Sequence, residues 1–297
     1  MIATAFNLTP DEVARAIGQP VKAIHAAPWD YHTSHAMQSL RVELGDGTII
    51  PMLLKDLDFE NQLPEARRTR PPQLYNPRRE IDVYREILND SRLDAPRCYG
   101  AIIDQKRHWL FLEELIDAIP LWQCEMTQWP LAAAWLRRLH EHRHGDFPES
   151  LLRYESTFYR FWLDRAAQFH PSLKPIEKNY DQIIARLESL PQTFIHGEFY
   201  ASNILMQQNR VRPIDWETAA VGPAMVDLAA LVSGNLTDKD RAAIIEAYGA
   251  DTTGLDECRL HLAIQWLGWS RDWTPPPEHA HDWLAEAYML AKKLGIA

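Results

Sequence analysis

The chain has 297 residues, 46% of them hydrophobic, enough for one large core or two smaller ones. Its formal net charge of −10 argues against nucleic acid as the main partner, because phosphate binding needs a basic face. Three scattered cysteines, Cys98, Cys124 and Cys258, form no CxxC pair, which excludes a disulfide framework and a cysteine-based zinc knuckle and suits a reducing cytosol.

The opening stretch, MIATAFNLTPDEVARAIG, has no basic segment leading into an apolar run, so no secretory signal is expected. No apolar stretch reaches the roughly 18 residues of a membrane span, so a cytoplasmic protein without a membrane partner is expected. TPDEVARAIG (9–18) reads as a short helix, with Thr9 as N-cap, Pro10 at the first helical position and Gly18 beyond the end. MQSLRVEL (37–44) reads as a strand. Gly45-Asp46-Gly47 is a hairpin turn, and TIIPMLLKDL returns as the next strand. Pro51 is expected where its missing N–H breaks no ladder. Residues 60–79 are polar, Pro-rich and locally basic, and read as a long loop. REIDVYREIL (79–88) predicts a helix with Ile81, Tyr84, Ile87 and Leu88 on one face. CYGAIID and HWLFLEEL predict two further strands.

Past residue 120 the pattern turns helical. WPLAAAWLRRLHEH (129–142), LLRYESTFYRFWLDRAAQF and IEKNYDQIIARLESL each predict a helix. Strand signals return at FIHGEF, NILMQQ and VRPIDW, with QQNR as a turn. Helices then run to the end, broken at Gly249 and at the triple proline 275–277. The hand-over from strands to helices near 115–121 divides the chain into 1–117 and 118–297.

The chemistry concentrates in FIHGEFYASNILMQQNRVRPIDWETAAVGPAMVDLAAL (194–231). A His-Gly-Glu turn is followed, five residues after the Glu, by an Asn that opens a strand. The next strand ends in Asp215. The hairpin brings Glu198, Asn203 and Asp215 to one end of a short sheet. Phosphoryl transfer needs such a set, with a carboxylate to orient the attacking hydroxyl and hard oxygen ligands for Mg2+.

This segment resembles the catalytic core of the aminoglycoside phosphotransferase and choline kinase family, whose pattern is HGDxxxxN followed by [IL]D[WF]E. Here it reads HGEFYASN and IDWE, and the family's Gly-Pro and Asp-Leu-Ala signature is matched by Gly222-Pro223 and Asp227-Leu228-Ala229. The resemblance implies an α+β, two-lobed protein-kinase-like fold: an N-terminal antiparallel sheet lobe that binds nucleotide and a larger, mainly helical C-terminal lobe for catalysis and substrate. It implies Glu198 at the catalytic-base position, His196 shaping its loop, Asn203 and Asp215 on metal, and Asp227 tying the loop down. Lys55 is implied as the phosphate anchor with Glu80 as its ion-pair partner. LEEL (112–115) resembles the hinge that meets adenine, which implicates Glu113 and Leu115. Glu217, closing IDWE, is placed on the substrate side.

Two features depart from the family pattern. Glu198 replaces Asp, moving the carboxylate by roughly 1.5 Å, one C–C bond. No glycine-rich loop precedes the second strand. APWDYHTSHAM stands there, with Thr33, Ser34 and His35 as polar candidates for phosphate contact.

Other motifs carry competing readings. His140-Glu141-His142-Arg143-His144 is a literal HExxH, the zinc-hydrolase signature, although Gly145 follows directly and the extended motif fails. Trp266, Trp269, Trp273 and Trp283 read either as helix packing or as an aromatic wall for the acceptor. With Asp272, Glu278 and Asp282 nearby, that wall would receive a cation; Trp269, Asp272 and Trp273 are the substrate-binding candidates. The expected function is Mg2+-dependent transfer of the ATP or GTP γ-phosphoryl group to a hydroxyl of a small-molecule acceptor. The alternatives are a catalytically weakened relative that binds a nucleotide or partner, and, more remotely, the zinc hydrolase.

Overall fold

The computed structural model describes residues 6–29, 34–64, 67, 71–89, 93–142, 146–249, 251–269 and 280–297. The chain divides into two compact units, one ending at Asp117 and one beginning at Ala118.

The first unit is built on an antiparallel sheet of five strands in the order β1-β2-β3-β5-β4. These are β1 (Val21–Pro28), β2 (Met37–Leu44), β3 (Ile49–Asp56), β4 (Cys98–Ile103) and β5 (His108–Glu113). Burial along β2 alternates strictly, so Leu40, Val42 and Leu44 all point inward. They meet Met52 and Leu54 of β3, Trp109 and Phe111 of β5, and Val13 of helix α1 (Pro10–Ile17) in one apolar cluster. α1 starts at a full capping box, in which Thr9 and Glu12 satisfy each other's backbone N–H groups, and ends at Gly18 in the left-handed region. It lies so close to β4 that a Cβ on Gly100 would stand 2.0 Å from the Ala16 carbonyl oxygen. Pairing of β3 with β5 begins at Met52, so Pro51 sits outside that ladder.

Helix α2 (Arg79–Asp82) continues as a π-helical turn, Val83–Ile87, in which Leu88 N–H donates to the Val83 carbonyl at 2.9 Å. Ile81, Tyr84, Ile87 and Leu88 are all buried, as the sequence pattern requires. The wider π turn also brings Val83 inward.

The second unit is mainly helical. Its main helices are α3 (Trp129–Glu141), α4 (Ser156–Phe169), α5 (Tyr180–Ser189), α6 (Met225–Leu231), α7 (Asp238–Tyr248), α8 (Leu255–Trp269) and α9 (Trp283–Lys293). α8 runs along α4, α6 and α9, and α3 packs on α7. Two differences from expectation are local. LLRYES does not open a helix: Leu152–Arg153 form strand β7, and α4 begins only at Ser156. The segment expected as one helix near 176–190 breaks at Asn179, between a short helical turn Lys174–Glu177 and α5.

Two small sheets carry the motif segment. Strand β6 (Ile119–Pro120) joins β9 (Ile204–Gln207) and β10 (Arg210–Pro213) in the order β10-β9-β6. The β9–β10 turn has Gln208 at φ 51° and Asn209 at φ 64°, the left-handed pair that a tight two-residue hairpin demands. β11 (Ala220–Pro223) lies between β7 and β8 (Gln192–Ile195), parallel to the first and antiparallel to the second. No described helix is long and apolar enough to cross a membrane.

Candidate active site

In the second unit, β8 delivers the chain into His196-Gly197-Glu198. Gly197 has φ 84°, and a Cβ there would stand 2.4 Å from the Thr218 carbonyl oxygen, so only glycine fits. Asp227, fully buried in the first turn of α6, receives the two amides of this turn. His196 N–H donates to its Oδ2 at 2.7 Å and Gly197 N–H to its Oδ1 at 2.8 Å.

His196 is fully buried, and its ring is oriented from both sides. Nε2–H donates to the Ile214 carbonyl at 2.9 Å, so Nδ1 is the acceptor for Glu198 N–H at 3.3 Å. Burial holds its pKa below the usual histidine value. The ring packs 4.4 Å from Trp216 and edge-on to Phe199. Together these contacts fix the main chain from which the half-buried Glu198 side chain departs.

The following residues close the loop. Tyr200 N–H donates to the Glu198 carbonyl at 2.7 Å, and Asn203 Nδ2–H donates to the same oxygen at 3.0 Å. The amide nitrogen of Asn203 is thereby committed to the Glu198 backbone, which leaves its amide oxygen as the atom suited to a cation. Ile214 N–H donates to the Asn203 carbonyl at 2.9 Å, tying β10's exit to the start of β9. Asp215 then takes a left-handed conformation, φ 66° and ψ 62°. Such a conformation costs a non-glycine residue on the order of 1 kcal/mol, and it concentrates at functional sites. Glu217 follows, buried within the turn Trp216–Thr218. Glu198, Asn203 and Asp215 thus sit on linked main chain: Asn203 bonds the Glu198 carbonyl with its side chain and, with its own carbonyl, the residue before Asp215.

In the first unit, Lys55 near the end of β3 meets Glu80 of α2 at 2.7 Å, and both side chains are buried. This rules out a surface lysine and an exposed helix glutamate. Ser34 accepts from Leu63 N–H through its carbonyl, and Thr33 lies outside the described residues. Glu113, the last residue of β5, turns its carboxylate to Arg97 N–H at 3.0 Å. Glu114 is gripped by Arg41 at 2.6 and 3.2 Å and by Ser39 at 2.6 Å. Both carboxylates of the 113–115 segment are therefore spent on the sheet, and half-buried Leu115 follows.

The tryptophans divide. Trp269 stacks on Trp162 with ring centroids 5.6 Å apart, and its carbonyl accepts from Arg165, so it lies in the α4–α8 packing. Asp272, Trp273 and Glu278 fall outside the described residues. The tryptophan that reaches the candidate loop is Trp266: Tyr200 stands edge-on to it at 5.4 Å, and it stacks on Trp283 at 5.0 Å. Burial, with the Glu198 charge close by, pushes the Tyr200 hydroxyl well above its usual value. The sequence reading chose Trp269 and Trp273 from four neighbouring tryptophans and passed over Trp266, for which it held no separate signal.

The zinc motif fails on two counts. α3 ends at Glu141 and His142 is extended, so of the motif's histidines the helix carries His140 among the described residues, and His144 lies outside them. His140 has both ring nitrogens engaged, Nδ1 with the Tyr248 hydroxyl at 2.9 Å and Nε2 with Asp227 at 3.2 Å. Among the described residues, no group of three or more His, Cys, Asp or Glu side chains is arranged to hold a metal by itself.

Comparisons with known proteins bear on the family and the fold. Residues 40–261 match the model of the phosphotransferase enzyme family, APH. The Protein LicA homolog of Metamycoplasma hominis is 24% identical over 115 residues, which is 38% of this chain and 45% of that protein. The chain thus aligns with less than half of that relative's length. The crystal structure of choline kinase LicA from Streptococcus pneumoniae is similar over 96% of both chains, with a TM-score of 0.55 at 15% identity. ADP-bound aminoglycoside phosphotransferase APH(2'')-Ib is similar over 94% of this chain and 95% of its own, with a TM-score of 0.55 at 12% identity. These likenesses show the protein-kinase-like fold.

Proposed function

The chain belongs to the phosphotransferase enzyme family, and on that premise we propose that it transfers the γ-phosphoryl group of ATP or GTP to a hydroxyl of a small molecule in a Mg2+-dependent reaction. The observation that carries this reading is the fixation of Glu198. Asp227, His196 and Asn203 between them hold its N–H, its carbonyl and the two residues before it. A general base needs such a fixed origin, because about 1 Å of misplacement costs on the order of 100-fold in rate.

Each residue then has one task. Glu198 orients the acceptor hydroxyl and takes up its proton as the oxygen attacks phosphorus. His196 keeps the Glu198 amide in place. Asn203 and Asp215 offer an amide oxygen and a carboxylate, hard donors that fit Mg2+. When bound, Mg2+ neutralises charge on the nucleotide phosphates. Lys55, held extended by Glu80, pairs with phosphate oxygens, and the main chain of 113–115 meets the base. Glu217 and the C-terminal aromatic residues face the acceptor.

Choline kinase and aminoglycoside phosphotransferase, by their names, act on small hydroxyl-bearing molecules, which supports an acceptor of that general kind. The test is a screen of purified protein with Mg·ATP and Mg·GTP against a library of metabolites and aminoglycosides. A phosphorylated alcohol supports the reading. Nucleotide binding with no transfer to any acceptor, or to water, contradicts it and favours a binding protein. Glu198 in place of Asp is the observation behind that second reading.

A further inference from the structure

His35 is a polar candidate for phosphate contact by its place in the sequence, yet it is buried, only 2% exposed. Its ring is turned onto the main chain of β3, with Nδ1 at 2.9 Å from the Asp56 carbonyl oxygen. A carbonyl only accepts, so Nδ1 carries the hydrogen and donates. One residue on, the Ala36 carbonyl accepts from Asp56 N–H at 3.0 Å. Both main-chain groups of Asp56 are thus held by the two residues that lead into β2. Just before them, the Ser34 carbonyl accepts from Leu63 N–H at 3.0 Å.

Asp56 directly follows Lys55, and its side chain is a second anchor. The carboxylate is buried and accepts from Asp58 N–H at 3.0 Å and from Asn61 Nδ2–H at 2.9 Å. Asp58 in turn accepts from His108 N–H and Nδ1–H at the start of β5, each at 2.8 Å. The entry to β2, the turn after β3 and the start of β5 therefore all bear on the residue that ends the strand carrying Lys55. Side chains alternate along a strand, so Lys55 leaves β3 on the face opposite Asp56, where Glu80 meets it. Residues 29–36 contain no glycine, and the exit of this connection is held by ties to β3.

We propose that His35 is a positioning residue for the nucleotide phosphates: its bond to the Asp56 carbonyl keeps the chain entering β2 in register with the end of β3, so that Lys55 is presented from a fixed main chain. This rests on the reading of Lys55 as the phosphate anchor given above. His35 touches no phosphate in this role. It lowers the cost of binding by holding Lys55 in place before the phosphates arrive. Without the imidazole donor, a buried carbonyl loses its partner, and the strand end shifts against the chain entering β2. The loss falls on ligands that carry phosphates and spares those that do not.

The test uses the full chain as wild type, His35→Phe and His35→Asn in titration calorimetry. The probes are Mg·ATP and adenosine, or Mg·GTP and guanosine where the wild type binds that pair more tightly. Phe keeps a buried ring beside Tyr75, which stacks on His35 at 6.4 Å, and removes the donor. Asn loses the ring and keeps a donor, because its Nδ2, like Nδ1 of His, is bonded to Cγ. His35→Phe should weaken nucleotide binding by about tenfold and nucleoside binding by less than about twofold. His35→Asn should bind the nucleotide within about threefold of wild type. A merely structural role predicts the reverse order, with Asn the weaker variant, or equal losses for both probes. A second measurement needs no variant. In the wild type, the nucleotide should slow hydrogen exchange at Asp56 and Leu63, whose amides bond the 34–36 segment, by about threefold or more relative to the nucleoside. Equal losses for both probes in His35→Phe, or an Asn variant weaker than the Phe variant, overturns the proposal. Should His35→Phe not fold, exchange at Asp56 and Leu63 that the nucleotide leaves unchanged overturns it. A wild type that favours the nucleotide, with no difference among the three proteins, overturns the proposal and leaves Lys55 as the anchor. A wild type that binds the nucleotide no more tightly than the nucleoside removes Lys55 as the anchor, and the proposal with it.

Discussion

Glu198 stands one methylene further from its backbone than the aspartate of the family pattern, and its main chain is held at both ends. A loop fitted around the longer side chain would leave a shorter carboxylate roughly one C–C bond away from the acceptor. Glu198→Asp should therefore transfer phosphate more slowly than wild type, by about tenfold. Glu198→Gln should keep nucleotide binding and lose transfer by roughly 100-fold or more, since an amide takes up no proton. Single-turnover phosphotransfer on the three proteins checks both, with slow ATP hydrolysis as the stand-in while no acceptor is in hand. A gain of activity in Glu198→Asp would mark Glu198 as a weakened residue. At this scale the sequence was readable where the spacing is short. HGEFYASN and IDWE put Asn203 and Asp215 at the two ends of the β9–β10 hairpin and Glu198 five residues before Asn203. His140 and Tyr248 are 108 residues apart, and no local signal joins them. The HExxH reading failed for a related reason, since both ring nitrogens of His140 are taken by distant residues, Tyr248 and Asp227.

Among elements, β3 and α2 owe their link to one ion pair. Lys55 and Glu80 are both buried, and removing one partner leaves the other charge without its counterpart in a poorly solvated place. Lys55→Met should cost about 3 kcal/mol in urea denaturation, and adding Glu80→Gln should recover most of it. Lys55→Met should also reduce the rise in Tm that Mg·ATP gives the wild type, because a ligand stabilises only in proportion to its binding. An undiminished rise would mean that Lys55 holds Glu80 and nothing else. The contact of α1 with β4 makes a sharper packing forecast. Gly100→Ala puts a methyl against the Ala16 carbonyl, which is backbone and yields little, so stability should fall by about 2 kcal/mol or more. A neutral result in thermal melts would mean that α1 shifts freely. β2, β3, β5 and α1 were legible because alternation, a Gly-Asp-Gly turn and a capping box agree with one another. β1 was not, since VKAIHAAP contains few strand formers and gains its conformation from pairing with β2. β7 and β11 are four residues or fewer and exist through each other.

On the scale of the whole molecule, buried histidines set the response to acid. His261 lies in an aromatic box of Tyr154, Phe158 and Tyr159, with Nδ1 at 3.2 Å from the Tyr180 hydroxyl. Desolvation lowers its pKa from 6.5 to about 3. The unfolded chain therefore binds a proton near pH 6.5 that the folded chain refuses until about pH 3. Between those values stability falls as pH falls, by up to about 1.4 kcal/mol per pH unit, and His196 adds in the same direction. Urea midpoints measured from pH 7 to pH 4 should decline, and His261→Phe should flatten the decline; a flat wild-type profile would contradict the burial of His261. The division of composition near residue 117, strand-rich before and helix-rich after, was visible in the sequence because the period of hydrophobic residues changes from 2 to 3.6. The acceptor was not legible, since no short motif encodes it.

The proposed function requires that this chain move a phosphoryl group with Asp215 as a metal ligand. The direct measurement is formation of ADP from Mg·ATP by purified wild type and Asp215→Asn, in single turnover, with melting curves as the check on folding. We predict ADP formation that requires Mg2+ in the wild type and falls by at least about 100-fold in Asp215→Asn, because the charged hard ligand is gone while the fold is kept. Wild-type-like ADP formation in a folded Asp215→Asn protein would contradict the assignment of the site.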